Sequence, residues 1–509
     1  MRSQLTGGGA GAGAGVSGAG GSAGDGAGRR CLWATIDQAD PAAQGSLYPQ
    51  LRAHRKGLTR RQVAADQRAR IHGAMIESVV RRGYEGSTVA EIARLGGVST
   101  RTVYERFDSK EGCLLATCEV IAGQAREKVS LVCDAGPGVE EEHPLVSALD
   151  AFARAIARHP KEASFVLVHA PTAGAEAYRR VARAHALCAE ALAARLEQAD
   201  DCETAGPLVL GAVHGVSHVV RKCLLDGRAD AAVELLPALR GWLSDCASAP
   251  AAGLGSDWGS SGTAPAAGRA VAGRVSAGRG AAGAIAATRG VGGSGGDASE
   301  RLPRIAAELA ARDGYRAVSV GRICAAAEID VDEFLALFAS PEDCLLAARE
   351  ILSVEALASA LQAIERRPRD LQEWCDAVGR ALSALLARVA EDPALQSVGF
   401  LEPIGSEGVR RRVAIMSRFA DVLSKRATAV PRFERSERAF GTSASRFGPP
   451  LSDAVVGAFW GVVQEQVLRG QAQRLPSLAA PLAYLVLCPI VGPERASEAA
   501  LRADRPGAG

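Results

Sequence analysis

Residues 87–112 read STVAEIARLGGVSTRTVYERFDSKEG, and 231 positions later residues 318–343 read VSVGRICAAAEIDVDEFLALFASPED. At this fixed offset Gly83/Gly314, Tyr84/Tyr315, Val89/Val320, Ile92/Ile323, Phe107/Phe338, Ser109/Ser340 and Glu111/Glu342 are identical, and CLLA follows at Cys113 and at Cys344. Further on, APTAGAEAYRR (170–180) and EPIGSEGVRR (402–411) share Gly174/Gly405 in the same register. A long internal repeat means that one structural unit is used twice. A chain of 509 residues has room for this, because one core rarely serves more than about 250–300 residues. Apolar residues recur at i, i+3, i+4 and i+7 through both halves, the period of an amphipathic helix. Only 4% of residues are aromatic, which disfavours a β-sandwich. The expected fold class is all-α.

Within the first copy, Thr88 and Glu91 form a capping-box pattern ahead of a short helix that buries Val89, Ile92 and Leu95. Gly96-Gly97-Val98 turns the chain, and Ser99 caps a second short helix. Val103 and Phe107 lie four apart and face inward, which leaves Thr100, Arg101, Thr102 and Tyr104 outside. This pattern predicts a helix-turn-helix whose second helix enters the major groove of DNA.

The segment TVAEIARLGGVSTRTVYERFDSKEG, with RARIHGAMIESVVRRGY before it, resembles the DNA-binding domain of the TetR (tetracycline-repressor) family of bacterial transcription regulators. The resemblance implies two tandem TetR-like units, each an N-terminal helix-turn-helix three-helix domain followed by a helical-bundle regulatory domain. It also implies phosphate contacts from Tyr104 and Lys110, and base reading at the start of the second helix by Ser99, Thr100, Arg101 and Thr102, with Thr88 at the helix start before it. Arg101 is the favoured base reader, because its planar fork matches the two acceptors of a guanine edge. Upstream, Arg52, Arg55, Lys56, Arg60, Arg61, Arg68 and Arg70 stand against Asp66 alone, and Arg55, Lys56, Arg60 and Arg61 are assigned to a phosphate-binding basic arm.

The repeat loses these charges. Residues 99–110 carry Arg101, Arg106 and Lys110 against Glu105 and Asp108, whereas 330–341 carry Asp330, Asp332 and Glu333 and no base, a change from +1 to −3. The folding signals persist, with Asp330 a good cap and Phe334 and Phe338 in the places of Val103 and Phe107. Acids facing a polyanion repel it, so the second motif reads as a helix-turn-helix that does not grip DNA.

The organisation that follows is a Gly/Ala-rich disordered tail at 1–50, a basic arm with helix-turn-helix domain at 51–122, and a ligand-binding and dimerisation domain at 123–248. A flexible linker at 249–299 leads to a degenerate helix-turn-helix at 300–354, a second regulatory domain at 355–494 and a disordered tail at 495–509. Two late helices carry small pairs four apart, Gly211/Gly215 and Gly457/Gly461, beside valine stripes that suit close helix packing. A linker of this length spans roughly 40 Å as a coil, enough for these helices to meet within one chain. Tethering favours an intramolecular pseudo-dimer, with a homodimer as the alternative.

A formal net charge of +2 confines any nucleic-acid surface to a local patch. The 12 cysteines are scattered without CxxC, as free thiols in a reducing cytoplasm would be. Unbroken apolar runs are too short for a membrane span, and no export signal is read. The glycine-rich start lacks the strand that a phosphate loop needs. His214 and His218 are spaced for a metal, but HGVSH lacks the glutamate of a zinc hydrolase, so no metal is assigned. Cys113 and Cys344 read as packed thiols, and Trp460 and Phe400 as core or pocket wall. Without a nucleophile and base, a metal set or a phosphate loop, no enzyme, catalytic residue or cofactor is assigned. The expectation is a cytoplasmic transcription regulator, a ligand-responsive repressor with an operator in double-stranded DNA and an unidentified small-molecule effector. The alternative is a helical interaction scaffold without specific DNA binding.

Overall fold

The computed structural model describes residues 59–134, 144–200, 206–247, 249, 298–362, 368–401, 405–428 and 447–503. Among the described residues there are helices and no strands. Arg55 and Lys56 of the expected arm, the tail at 1–50 and most of the linker at 249–299 lie outside them.

The first helix, α1 (Arg60–Gly86), begins where Thr59 and Gln62 cap each other reciprocally, so the basic residues from Arg60 onward are part of a helix and not of an extended arm. It breaks at Gly83, whose φ of 73° lies in the left-handed region that a side chain disfavours. Two short helices follow, α2 (Val89–Leu95) and α3 (Thr100–Arg106), and then the long α4 (Lys110–Asp134). Ile71, Met75, Val79, Ile92, Leu95, Val103 and Leu114 close into one apolar cluster, which fixes the three front helices against α4. This cluster reaches back to Phe165 and Val181 in the bundle behind.

That bundle comprises α5 (Pro144–Arg158), α6 (Pro160–Ser164), α7 (Ala175–Asp200), α8 (Gly206–Leu225) and α9 (Ala231–Ala247). The chain passes from α6 to α7 through a wide helical turn at Phe165–His169 and a tight one at Ala170–Ala173. After the linker come α10 (Ala298–Asp313), α11 (Val320–Ala327), α12 (Val331–Leu337) and α13 (Pro341–Gln362). The last bundle holds α14 (Leu371–Glu391), α15 (Gly405–Thr428), α16 (Pro449–Leu468), α17 (Ala479–Val491) and α18 (Pro493–Ala503).

The two bundles share one apolar core, and its axis is the crossing of α8 and α16. Small residues make that crossing possible. A Cβ on Gly215 would sit 2.5 Å from the Ala454 carbonyl oxygen, and one on Gly457 would sit 2.5 Å from Cβ of His218. Around the crossing, Lys222 pairs with the buried Asp453 at 2.7 Å, the Trp242 indole donates to the Leu485 carbonyl at 3.3 Å, and Tyr484 donates to the Asp245 carbonyl at 3.0 Å.

Three boundaries differ from those read in the sequence. Continuous helices cross the expected borders at 122/123 and 354/355, because α4 and α13 each serve both the front motif and the bundle behind it. The expected tail from 495 is helical as far as Ala503, held by buried Ala496, Ala499 and Ala500 and by an Arg502 to Asp376 ion pair at 3.0 Å. Gly206–Leu225 and Ala472–Val491 are long and apolar enough to cross a membrane, but most of each is buried inside the fold.

Candidate nucleic-acid interface

The turn between α2 and α3 is built from side chains spent on backbone. Thr88 caps α2 by accepting from the Glu91 amide at 3.2 Å, and Ser99 caps α3 by accepting from the Thr102 amide at 3.0 Å. Gly97 at φ 59° makes the reversal. Arg70, nearly buried on α1, donates to the carbonyls of Gly96 (2.8 Å) and Gly97 (2.9 Å) while its Nε pairs with Asp66 at 2.9 Å. This arginine, counted in the basic stretch of the sequence, is a clamp inside the domain and does not face solvent. Arg106 on α3 is tied to Gln67 on α1 at 3.0 Å.

Braced in this way, α3 presents a short outward face. Arg101 has its side chain 88% exposed and meets only Glu105, at 2.9 Å across one helical turn, a pairing worth a few tenths of a kcal/mol in water. The cost of swinging Arg101 away from Glu105 is therefore small. Tyr104 is 56% exposed, and Thr100 is exposed beside Arg101. The hydroxyls of Ser99 and Thr102 lie 2.9 Å apart, so part of their hydrogen-bonding capacity is used locally. Arg60 and Arg61 are exposed at the start of α1.

Lys110 differs from Arg101 in its surroundings. Its ammonium donates to the carbonyls of Tyr84 (3.0 Å) and Ser87 (3.1 Å) and sits 4.0 Å from the centre of the Tyr84 ring. Two of its three donors are engaged, which leaves one for a further acceptor. The lysine thus also ties the start of α4 to the end of α1, a role the sequence did not signal.

At the 231-residue offset, the surface after α10 carries other chemistry. Asp330 caps α12 and accepts from the Glu333 amide at 2.8 Å, with Phe334 and Phe338 buried beneath. Asp332 and Glu333 are exposed, as are Val331, Leu335 and Leu337, and Pro341 stands 231 residues after Lys110. The turn before α12 reverses at Glu328, with φ 56° where Gly97 has 59°.

Nine cysteines among the described residues form no disulfide. Burial pushes Cys113 and Cys344 up to about 12, which removes the thiolate that redox chemistry needs. Among the described residues no group of three or more His, Cys, Asp or Glu side chains is placed to hold a metal ion.

Residues 74–117, which span the end of α1 through the start of α4, match the family described as bacterial regulatory proteins, tetR family. Solved structures similar to part of the chain include the fatty acid degradation regulator FadR from Bacillus halodurans, at 20% identity and TM-score 0.30, over 34% of this chain and 96% of that one. Another is the transcriptional regulator FadR from Bacillus subtilis in complex with stearoyl-CoA, at 17% identity and TM-score 0.28, over 33% and 96%. A TetR-family transcriptional regulator from Mesorhizobium loti matches at 20% identity and TM-score 0.25, over 36% and 98%. No curated protein matches the chain.

Proposed function

We propose that this chain is a cytoplasmic, DNA-binding transcription regulator, a ligand-responsive repressor built from two TetR-like units of which only the first reads DNA. The observation that carries the reading is α3. Within a segment matching the tetR family, it is a capped, braced helix whose outward side chains include an almost fully exposed arginine and a half-exposed tyrosine. In this reading Arg101 supplies direct readout, while Thr100, Tyr104, Lys110, Arg60 and Arg61, with Arg55 and Lys56 beyond the described residues, attract phosphates.

Support for a duplicated unit comes from geometry at the 231 offset. Gly83 and Gly314 both have positive φ, as do Gly97 and Glu328, and Gly174 and Gly405. A wide helical turn recurs at Phe165–His169 and Leu395–Leu401. The crossing of α8 with α16 is what an intramolecular pseudo-dimer requires, and it consumes the glycine faces that a homodimer would use. Acids at the head of α12 and proline in place of Lys110 support a silent second head.

The exposed Val331, Leu335 and Leu337 favour a second reading for that unit alone, a protein-binding face in place of a DNA-binding one. Selection of genomic DNA fragments by the purified full chain tests the main reading. A recovered motif with one conserved half-site supports a single head. Recovery of fragments without a common motif, at every salt concentration, sinks it.

A further inference from the structure

Where α7, α8, α15 and α16 meet, a cavity of about 50 Å³ is lined by Tyr178, His185, His214, His218, Arg221 and Arg412. Both bundles contribute, and among the described residues no carboxylate is in the lining. Arg412 is 9% exposed. Its Nη1 donates to the Tyr178 hydroxyl at 2.6 Å, and that hydroxyl donates onward to the Phe400 carbonyl at 2.6 Å. Nε and Nη2 of Arg412 are buried without a partner. Arg221 donates its Nε to the Leu167 carbonyl at 2.8 Å, and among the described residues it makes no ion pair. Burial and the neighbouring Arg412 pull Arg221 down to about 10. Two guanidinium groups thus face one small space with no counter-charge among the described residues.

The remaining walls add donors. Nε2 of His214, both ring nitrogens of His218 and Nε1 of Trp460 are buried without partners. Burial and adjacent cations hold His185 and His218 at about 3, so their rings are neutral at pH 7, and each offers one N–H. An unpaired buried polar group is costly, and an uncompensated charge is more so. Water can meet the hydrogen-bonding need of such a cavity but leaves its positive charge uncompensated.

Three lining residues, Leu167, Val181 and His185, also line an adjoining pocket of about 90 Å³. That pocket is walled largely by apolar side chains, among them Ile121, Phe152 and Val166. A cationic, donor-rich chamber therefore adjoins a largely apolar one, whose lining also holds Arg126 and the buried Glu162, an arrangement that fits an amphipathic anion.

We propose that the junction cavity binds the carboxylate of an aliphatic organic acid between Arg221 and Arg412, with the hydrocarbon tail in the pocket beside Phe152. The assignment names an effector class for the regulator proposed above, but the binding itself needs no DNA. Because the headgroup site is assembled from both bundles, an occupant would couple them across the α8 to α16 crossing.

Calorimetric titration of the full chain at pH 7 with hexanoate, acetate, 1-hexanol and inorganic phosphate tests it, with melting temperature as a second readout. Hexanoate is expected to bind at one site per chain and raise the melting temperature, acetate to bind roughly tenfold or more weakly, and 1-hexanol not to bind. Arg412→Met, with helix content checked by circular dichroism, is expected to weaken hexanoate roughly tenfold or more. Ala184→Leu, which fills the apolar pocket, is expected to weaken hexanoate but not acetate. If Arg412→Met does not fold, Arg221→Gln and Ala184→Leu carry the test. Absence of hexanoate binding, equal binding of 1-hexanol, unchanged affinity in the folded arginine variants, or phosphate binding as tight as hexanoate each overturns the proposal. Hexanoate binding by a chain that selects no DNA motif would keep this assignment and defeat the regulator reading alone.

Discussion

The ring of His214 on α8 occupies the space that a side chain on Gly461 of α16 would need. The same exchange is made at His218 and Gly457, so two histidines of one bundle are seated on two glycines of the other. The histidine rings reach the junction cavity because the facing helix yields room for them.

Gly461→Ala is therefore expected to destabilise the whole chain by about 1–3 kcal/mol or more, since His214 must move and its surroundings are packed. Gly215→Ala meets a backbone carbonyl and has less scope for relief. Chemical denaturation of both variants measures the effect. Midpoints unchanged from the parent would mean that the helices are not seated this closely.

Arg70→Met removes the clamp on the Gly96 and Gly97 carbonyls without touching the outward face of α3. The expected cost is about 2–4 kcal/mol for the front helices, from lost charged hydrogen bonds and an orphaned Asp66. Hydrogen exchange resolved along the chain should place the loss in α2 and α3. Uniform loss across both bundles would contradict a local clamp.

Arg101→Ala should lower discrimination among DNA sequences by about 1–3 kcal/mol and leave stability unchanged, because the Glu105 pair is exposed. Lys110→Ala should weaken binding to all sequences and reduce the salt slope by about one, and also lower the melting temperature, since the Tyr84 and Ser87 carbonyls lose their donor. Asp332→Ala with Glu333→Ala should leave DNA affinity unaltered. Mobility shifts at several salt concentrations separate the three behaviours, and a large affinity change in the double variant would reveal a second working head.

Acid should destabilise the ligand-free chain through its buried histidines. His72, held at about 4 by burial and by Arg68, lies 2.8 Å from the Thr117 hydroxyl. That hydroxyl donates to the Cys113 carbonyl, so it accepts from Nδ1 of His72, and the ring has no need of a second proton. The folded value lies below the unfolded one near 6.5, so this stability is present above pH 6.5 and is lost as pH falls towards 4. At pH 5 the loss is about 2 kcal/mol for His72 alone. Melting temperatures between pH 8 and 4 test the sign: His72→Leu should flatten the acid limb, and an identical limb would place the sensitivity elsewhere.

Much of the front domain was legible in the sequence because its folding signals are local. Thr88, Ser99 and Asp330 announce their helices through cap chemistry, and Val103 with Phe107 marks the buried side of α3 through helical spacing alone. The glycine pairs likewise marked the two helices that cross. What stayed hidden depends on distant residues meeting. Nothing near Arg70 indicates that it turns inward, because the carbonyls it clamps lie 26 and 27 residues away. Tyr178 and Arg412 are 234 residues apart, and each faces a valine across the repeat, Val409 and Val181. That asymmetry was the available signal, since a polar residue in one copy opposite an apolar one in the other marks a place where the halves differ in task.

The crossing of α8 with α16 also sets a schedule for synthesis. Helix α8 is complete at Leu225 and its partner at Leu468, 243 residues later in the chain. At about 5–20 residues per second, the first bundle waits roughly 12–50 s on the ribosome with its glycine and valine face uncovered. During that interval the face is open to a neighbouring nascent chain carrying the same α8. A cell making this protein from closely spaced ribosomes therefore confronts a kinetic choice between capture by a sibling and patience for its own second half, one that the finished molecule no longer records.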